Sequence, residues 1–137
     1  MLRALPLLLL CFWCPRPAQA QASQEYLVTF MSGRTHSYIM EADWQPTVRQ
    51  GQLVLRPATR VLMMDVALIQ PYVPNDVRGL KQLKLMPQTP RINNPGILVW
   101  VEFDPLTPGA PKDNETGLVQ AAPQTWVRPE AFRLAID

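Results

Sequence analysis

The stretch that decides the fold is Ile97–Phe103, which reads ILVWVEF. Its side chains alternate between two faces, and the apolar face consists of Ile97, Val99, Val101 and Phe103. The opposite face carries Leu98, Trp100 and Glu102. Turn-forming residues stand at both ends, Asn94-Pro95-Gly96 before the run and Asp104-Pro105 after it. This pattern predicts a β-strand that places one face in the core.

Further runs along the chain show the same two-residue period. Glu25–Met31 and Thr35–Glu41 are separated by Ser32-Gly33-Arg34, and so short a glycine turn predicts a β-hairpin. Leu53–Arg56, which follows Gln50-Gly51-Gln52, predicts another strand. These runs favour a fold built from short strands.

Some segments are ambiguous or mixed. Arg60–Ile69 fits either a strand or a helical stripe of Val61, Met64 and Leu68, and its β-branched residues favour the strand. Asn75–Leu80 predicts a helical turn before an extended segment, Lys81–Leu85. Trp126–Glu130 predicts a last strand that enters one helical turn at Pro129.

Proline is dense in this chain, with fifteen residues, twelve of them after position 20. The prolines lie between the apolar segments rather than inside them, which suits short strands and stiff loops. We therefore predict an all-β fold, or a mainly β fold with one or two short helical turns, arranged as a small β-sandwich or barrel. The length after residue 20 is enough for a single compact domain, 21–137.

The N-terminus has the pattern of a secretory signal peptide. A basic residue, Arg3, precedes an apolar run from Ala4 to Trp13, and Ala18-Gln19-Ala20 provides the small residues of a cleavage site. Cleavage after Ala20 predicts a secreted or periplasmic protein. Both cysteines, Cys11 and Cys14, leave with the signal, so we expect a cysteine-free mature chain without a disulfide.

Charge and apolar length exclude two classes of partner. The whole chain has 13 basic and 11 acidic residues, but the signal removes Arg3 and Arg16 and leaves eleven of each. A neutral domain argues against nucleic-acid binding, which normally needs a basic excess. The N-terminal apolar run is shorter than the roughly twenty residues of a membrane span. We expect no stable membrane insertion after cleavage; acylation of Cys11 or Cys14 is the alternative.

Catalytic and metal-binding patterns are weak. His36 is the one histidine, and no second ligand stands at a suitable spacing, so we predict no metal and no cofactor. Glu102 and Asp104 project together from a regular strand and are the carboxylate pair on which a small hydrolase would depend. Asp65 interrupts an apolar run, which predicts a buried carboxylate satisfied by an arginine such as Arg56 or Arg60, or by backbone amides.

Binding surface is the remaining kind of site. Asp104–Thr125 predicts a long polar loop next to two tryptophans, and aromatic residues beside loops are common anchors of protein interfaces. Three basic residues at a spacing of three form a second candidate. The predicted partner-binding residues are Trp100, Trp126, Trp44, Arg78, Lys81 and Lys84.

Three functions follow from these patterns. The first is a non-enzymatic interaction protein whose partner is another protein, an accessory component of an envelope assembly such as a secretion, pilus or conjugation apparatus. The second is a secreted or periplasmic inhibitor or immunity protein that binds a hydrolase. The third is a small hydrolase that uses Glu102 and Asp104. The lack of a strong catalytic pattern favours the first.

Overall fold

The computed structural model describes residues 22–74, 76–93 and 95–135. In this part the chain forms short strands and two single-turn 3-10 helices, Met63–Asp65 and Pro129–Ala131. The strands are β1 Ser23–Phe30, β2 Thr35–Glu41, β3 Val48–Arg49, β4 Gln52–Arg56, β5 Thr59–Leu62, β6 Val66–Pro71, β7 Lys81–Pro87, β8 Ile97–Val101, β9 Val119–Ala122, β10 Thr125–Val127 and β11 Phe132–Leu134.

The strands form three antiparallel sheets. A five-stranded sheet has the order β2-β1-β6-β10-β9, and two three-stranded sheets have the orders β11-β7-β8 and β3-β4-β5. Within the described residues none of these sheets closes into a barrel. The prediction of a mainly β fold with short helical turns is confirmed.

Two apolar clusters lie on opposite faces of the five-stranded sheet. Ile69 and Trp126 are paired across β6 and β10 and belong to one cluster, whereas their neighbours Leu68 and Val127 belong to the other. Adjacent residues of a strand point to opposite faces, so each face has its own core. Strand β4 adds Leu53 and Leu55 to the first cluster. Strands β7 and β8 add Leu85, Val99 and Val101 to the second.

The predicted hairpin is confirmed as β1 and β2, with Thr29 opposite Thr35 next to the turn. Gly33 adopts a φ of 94°, which L side chains rarely tolerate. A Cβ atom at this position would lie 3.2 Å from the backbone nitrogen of Asn93. Glycine is therefore required both by the turn and by the approach of the segment before β8.

Strand β8 is confirmed but ends earlier than predicted, at Val101. The N–H groups of Glu102 and Phe103 both donate to the carbonyl of Ala121, which turns the chain towards β9. Phe103 is consequently 37% exposed and not part of the core face, so its assignment to that face was wrong.

The segment Arg60–Ile69 is extended, as favoured, but not continuous. The 3-10 turn Met63–Asp65 separates β5 from β6, and the N–H of Met31 donates to the carbonyl of Asp65 at 2.6 Å. The chain therefore passes from the small sheet into the five-stranded sheet at this turn.

Other elements differ from the predictions in detail. Residues 76–80 contain a turn at Arg78 and Gly79 rather than a helical turn, and Asn75 lies outside the described residues. The strand Lys81–Pro87 and the passage of β10 into the turn at Pro129 are confirmed. Strands β3, β9 and β11 were not predicted.

Arg128 is a buried arginine, 8% exposed, that connects three segments of the chain. Its guanidinium donates to the carbonyls of Val66 at 2.6 Å, of Thr116 at 2.9 Å and of Met63. Burial lowers the pKa of Arg128, and the nearby Glu130 carboxylate acts in the opposite direction. Backbone carbonyls thus hold this charge inside the fold.

Tyr26 gives the fold a measurable alkaline limit. Its buried hydroxyl donates to the carbonyl of Ala42 at 3.1 Å, and burial, with a further contribution from Asp43, raises its pKa to about 12. In the unfolded chain the pKa returns to 10.0. The stability held by the neutral hydroxyl is therefore complete below pH 10 and lost as the pH rises to 12.

We expect the free energy of unfolding to fall by about 2–3 kcal/mol across this window, since one pKa unit corresponds to about 1.4 kcal/mol. Urea denaturation between pH 9 and pH 12 measures this loss. Tyr26→Phe provides the control, because it should lack this component of the alkaline loss. Identical pH profiles for both proteins would contradict the assignment.

The predicted signal peptide, residues 1–20, and both cysteines lie outside the described residues. In the part of the chain that the structure describes, no helix is both long and apolar enough to cross a membrane.

Candidate functional site

The outward face of sheet β11-β7-β8 combines apolar and basic side chains. Leu98 and Trp100 flank the buried Val99 on β8 and so point away from the core. The register with β7 places Lys84 opposite Leu98 and Gln82 opposite Trp100. Leu98 is 56% exposed and Trp100 is half-buried. We call this surface, with the pocket described next, the Trp100 face.

A pocket of about 330 Å³ lies beside Trp100. It is bounded by the segment between β6 and β7, by the end of β8 and by the turn between β9 and β10. Its apolar lining consists of Pro71, Pro74, Leu80, Trp100, Ala122 and Pro123. This volume accommodates a large side chain or a small ligand.

Charged groups line the same pocket. The Arg78 guanidinium donates to Asp76 through Nε at 3.3 Å and through a terminal nitrogen at 3.2 Å. These side-chain hydrogen bonds, and one from the Arg78 backbone N–H, hold the pKa of Asp76 below its ordinary value. Glu102 is the other carboxylate in the lining. The pocket therefore has apolar walls, a neutralised ion pair and one further acid.

The basic residues predicted from sequence gather around this face. Lys84 lies on it, and Lys81 lies at the exposed start of β7, next to Leu80 of the pocket. Neither lysine forms an ion pair with an acid among residues 22–74, 76–93 and 95–135. Arg133, opposite Met86 on β11, adds an exposed positive charge that the sequence analysis missed. The sequence pattern that indicates an exposed Arg133 is the alternation of apolar Phe132 with charged Arg133. The strand is too short for this pattern to be recognised from sequence.

Trp126 belongs to the core, and the half-buried Trp44 packs against the same cluster, away from this surface. Trp126 is 4% exposed, and its ring meets Trp44 edge-on with centroids 5.3 Å apart. The Trp44 indole N–H donates to the carbonyl of Val54 at 3.3 Å, and its ring also packs on Tyr26. Trp126 therefore does not contribute to the Trp100 face, and it lines a separate depression with Phe103, Asp113 and Leu118.

The segment Asp104–Thr125 is not one long loop. Its last third contains β9, and Asp113 orders the preceding turn by accepting hydrogen bonds from the Thr116 N–H at 3.0 Å and hydroxyl at 2.6 Å. Only the β9–β10 turn of this segment contributes to the pocket beside Trp100. The loop residues line two separate depressions, one with Lys112 and Asp113 and one with Leu106 and Thr107, and a contact surface on the loop stays a prediction.

The carboxylate pair considered for a hydrolase is not brought into one site. Glu102 lines the pocket beside Trp100, whereas Asp104 lines a different depression with Leu106 and Phe132. The Asp104 carboxylate accepts a hydrogen bond from the Leu106 N–H at 2.8 Å, which is a turn-stabilising role. The chain bends after Val101, so the regular alternation that would align the two carboxylates is absent.

His36 is exposed on β2, and its ring lies 5.7 Å from Phe30 and 6.4 Å from Tyr38. Within the described residues, no cluster of three or more histidine, cysteine or acidic side chains has the geometry to hold a metal ion. His36 is an exposed residue of the hairpin, packed beside aromatic rings.

Asp65 is half-buried, with 43% of its side chain accessible, so the prediction of a buried carboxylate was wrong. It occupies the 3-10 turn between β5 and β6, which projects its carboxylate towards solvent. Its ionic partner is Arg91 at 3.7 Å, not Arg56 or Arg60.

We expect Asp65→Ala to change the free energy of unfolding by less than about 1 kcal/mol, because exposed ion pairs contribute little. Thermal denaturation of the variant beside Arg91→Ala, which breaks the same pair from the other side, measures this. A loss of about 3 kcal/mol or more in Asp65→Ala would restore the buried assignment.

Comparison of the chain with models of known protein families, with curated proteins and with solved structures gives no match.

Proposed function

We propose that this protein is a non-enzymatic interaction protein of the extracellular space or periplasm that docks another protein on the Trp100 face. The observation that carries the proposal is the exposed Leu98 beside a half-buried tryptophan, Trp100, which forms one wall of a 330 Å³ pocket. Exposed apolar side chains grouped around a pocket are typical of interaction sites.

The arrangement suits a partner that inserts one apolar side chain. Tryptophan supplies a large contact area at a low cost in conformational entropy and is common among the residues that dominate binding energy. The pocket beside Trp100 has proline walls, which are rigid, so docking would order few groups that are mobile beforehand.

Charge adds specificity to this apolar centre. Lys84 and Arg133 lie on the face and Lys81 lies at its edge, and none of them is paired with an acid in the described part of the chain. A partner with carboxylates around its apolar contact would complement this rim and associate faster at low ionic strength.

The biological setting of the proposal comes from residues 1–20, whose pattern predicts export. An exported domain without an evident catalytic pattern, and with a surface suited to proteins, fits an accessory component of an envelope assembly. Inhibition of a hydrolase is the alternative use of the same surface, and the identity of the partner distinguishes the two.

Site-specific photocrosslinking in the producing cells tests this function. Benzoylphenylalanine placed at Gln82 or Leu98, both on the Trp100 face, should give one covalent adduct of defined mass. The same group at the exposed positions Thr107 and Glu115 should give none. Mass spectrometry then identifies the partner as an envelope component or as a hydrolase. Equal labelling at all four positions, or no adduct at any of them, would contradict the proposal.

A further inference from the structure

A second surface, away from the Trp100 face, lies beside the first apolar cluster. It is located between the end of β2 and sheet β3-β4-β5. It is a groove of about 620 Å³. Three guanidinium groups line it, those of Arg49 on β3, Arg56 on β4 and Arg60 on β5. Met40 and Leu55, both buried, provide an apolar floor. We call this surface the arginine groove.

The groove has an excess of positive charge. Arg49, Arg56 and Arg60 have no carboxylate within ion-pair distance among the described residues, and Glu41 is the one acid in the lining. Two of the arginine side chains are nevertheless held in place by contacts with neighbouring side chains. Arg56 lies 6.0 Å from the ring centre of Tyr38, and Arg60 donates to the Gln50 side-chain oxygen at 2.8 Å.

The groove runs beside an open sheet edge. Strand β2 is the outermost strand of the five-stranded sheet, and no described strand pairs with its other side. The N–H of Phe30 donates to the carbonyl of Arg34, so the facing pair Thr29 and Thr35 does not exchange hydrogen bonds. The backbone N–H and carbonyl of Thr35 therefore point away from β1, out of the edge of the sheet. This pattern repeats at every second residue, so the N–H and carbonyl groups of Ser37 and Ile39 point outward as well.

Ile39 strengthens the case for an occupied edge. Its side chain is 59% exposed, and Ile39 belongs to the lining of the groove, where its own N–H and carbonyl point outward. An exposed β-branched residue on an open edge strand favours association with another chain, unless charge opposes it.

We propose that the arginine groove and the edge of β2 bind an acidic peptide segment in an extended conformation. The peptide adds a strand beside β2 through backbone hydrogen bonds to Ser37 and Ile39. Every second side chain of an extended peptide faces the same way, so acids at alternate positions meet the three guanidiniums. Arginine suits this role because its planar group pairs with carboxylates in a fixed geometry.

The charge selects this occupant over a second copy of the chain. Pairing two β2 edges would bring two arginine grooves together, and like charges at such an interface oppose association. The proposal is independent of the Trp100 face, which lies on the sheet that covers the other apolar cluster.

Fluorescence anisotropy with a labelled peptide of about eight residues, in which glutamate and valine alternate, tests the charge contribution. Combined Arg49→Gln, Arg56→Gln and Arg60→Gln should weaken binding at least about tenfold, since three ion pairs are lost. The matched control is Arg78→Gln, Lys84→Gln and Arg133→Gln, which removes equal charge away from β2 and should change the affinity less than about twofold. Trp100→Ala should leave this binding unchanged, which separates the inference from the proposed function.

Two further comparisons test strand addition itself. Ile39→Pro removes an outward-facing N–H and leaves the pairing with β1 intact. It should therefore lower the affinity for the peptide at least about tenfold relative to Ile39→Ala. Peptides N-methylated at alternate residues repeat the test without changing the protein, and only one of the two alternating patterns should abolish binding.

Several results would overturn the inference. These are equal binding of a peptide with the same glutamates grouped together, equal loss in both triple variants, and binding that tolerates N-methylation in both patterns. A concentration-dependent dimer in sedimentation that Ile39→Pro abolishes would assign the edge to a second copy instead.

Discussion

Replacing Arg128 by methionine should lower the free energy of unfolding by about 3–5 kcal/mol. The guanidinium donates to the carbonyls of Met63, Val66 and Thr116, and methionine fills similar space without a donor. Each carbonyl left buried without a hydrogen bond costs about 1–3 kcal/mol. Met63 lies before β6, Val66 at its start and Thr116 before β9. Loss of the hydrogen bonds to their carbonyls therefore loosens the five-stranded sheet at two places.

Urea denaturation followed by circular dichroism measures the effect. Arg133→Met is the matched control, since Arg133 is exposed on β11, and it should change stability by less than about 1 kcal/mol. Arg128→Lys should lie between the two, because one ammonium group cannot reach all three carbonyls. If Arg128→Met unfolded at the same urea concentration as Arg133→Met, the structural role would be refuted.

Trp100→Ala should weaken binding of the partner by at least about 2 kcal/mol, or roughly thirtyfold in affinity, while the domain stays folded. The substitution removes one wall of the pocket and the main aromatic area of the face. Trp100 belongs to neither of the two apolar clusters, so the loss of stability should remain small. Calorimetric titration with the crosslinked partner, together with a melting curve, gives both quantities.

The contrast with Trp126→Ala makes this prediction specific. Trp126 is buried against Trp44, so its truncation should destabilise the fold by about 3–5 kcal/mol. Affinity lost in Trp126→Ala and retained in a fully folded Trp100→Ala would place the contact surface elsewhere.

The strands that could be predicted are those with long alternation and marked ends. Ile97–Val101 and the β1–β2 hairpin satisfy both conditions, and the structure has them at nearly the predicted bounds. Strand β9 has the sequence VQAA, in which alanine gives no β preference, and β3 has only two residues. Such strands exist because the neighbouring strands offer them hydrogen bonds, which no local pattern reveals.

The site was predictable only where one face of a strand was already assigned. Alternation along β8 placed Trp100 opposite the core, and this survives in the structure. Trp126 has a similar local pattern but lies in the five-stranded sheet, where both faces are covered by other sheets. The prediction that Asp65 is buried was wrong for the reverse reason. The 3-10 turn takes this residue out of the strand that the apolar run predicted. Tertiary placement, rather than residue type, decides these cases.

Cross-saturation NMR on the complex with the partner tests the central claim most directly. The protein is deuterated and the partner is not, so irradiation of the partner attenuates only the signals of residues in contact. We expect attenuation at Gln82, Lys84 and Leu98 and at the indole of Trp100, with the indoles of Trp44 and Trp126 unaffected. Attenuation confined to the arginine groove or to the segment between β8 and β9, with the Trp100 indole unchanged, would contradict the account.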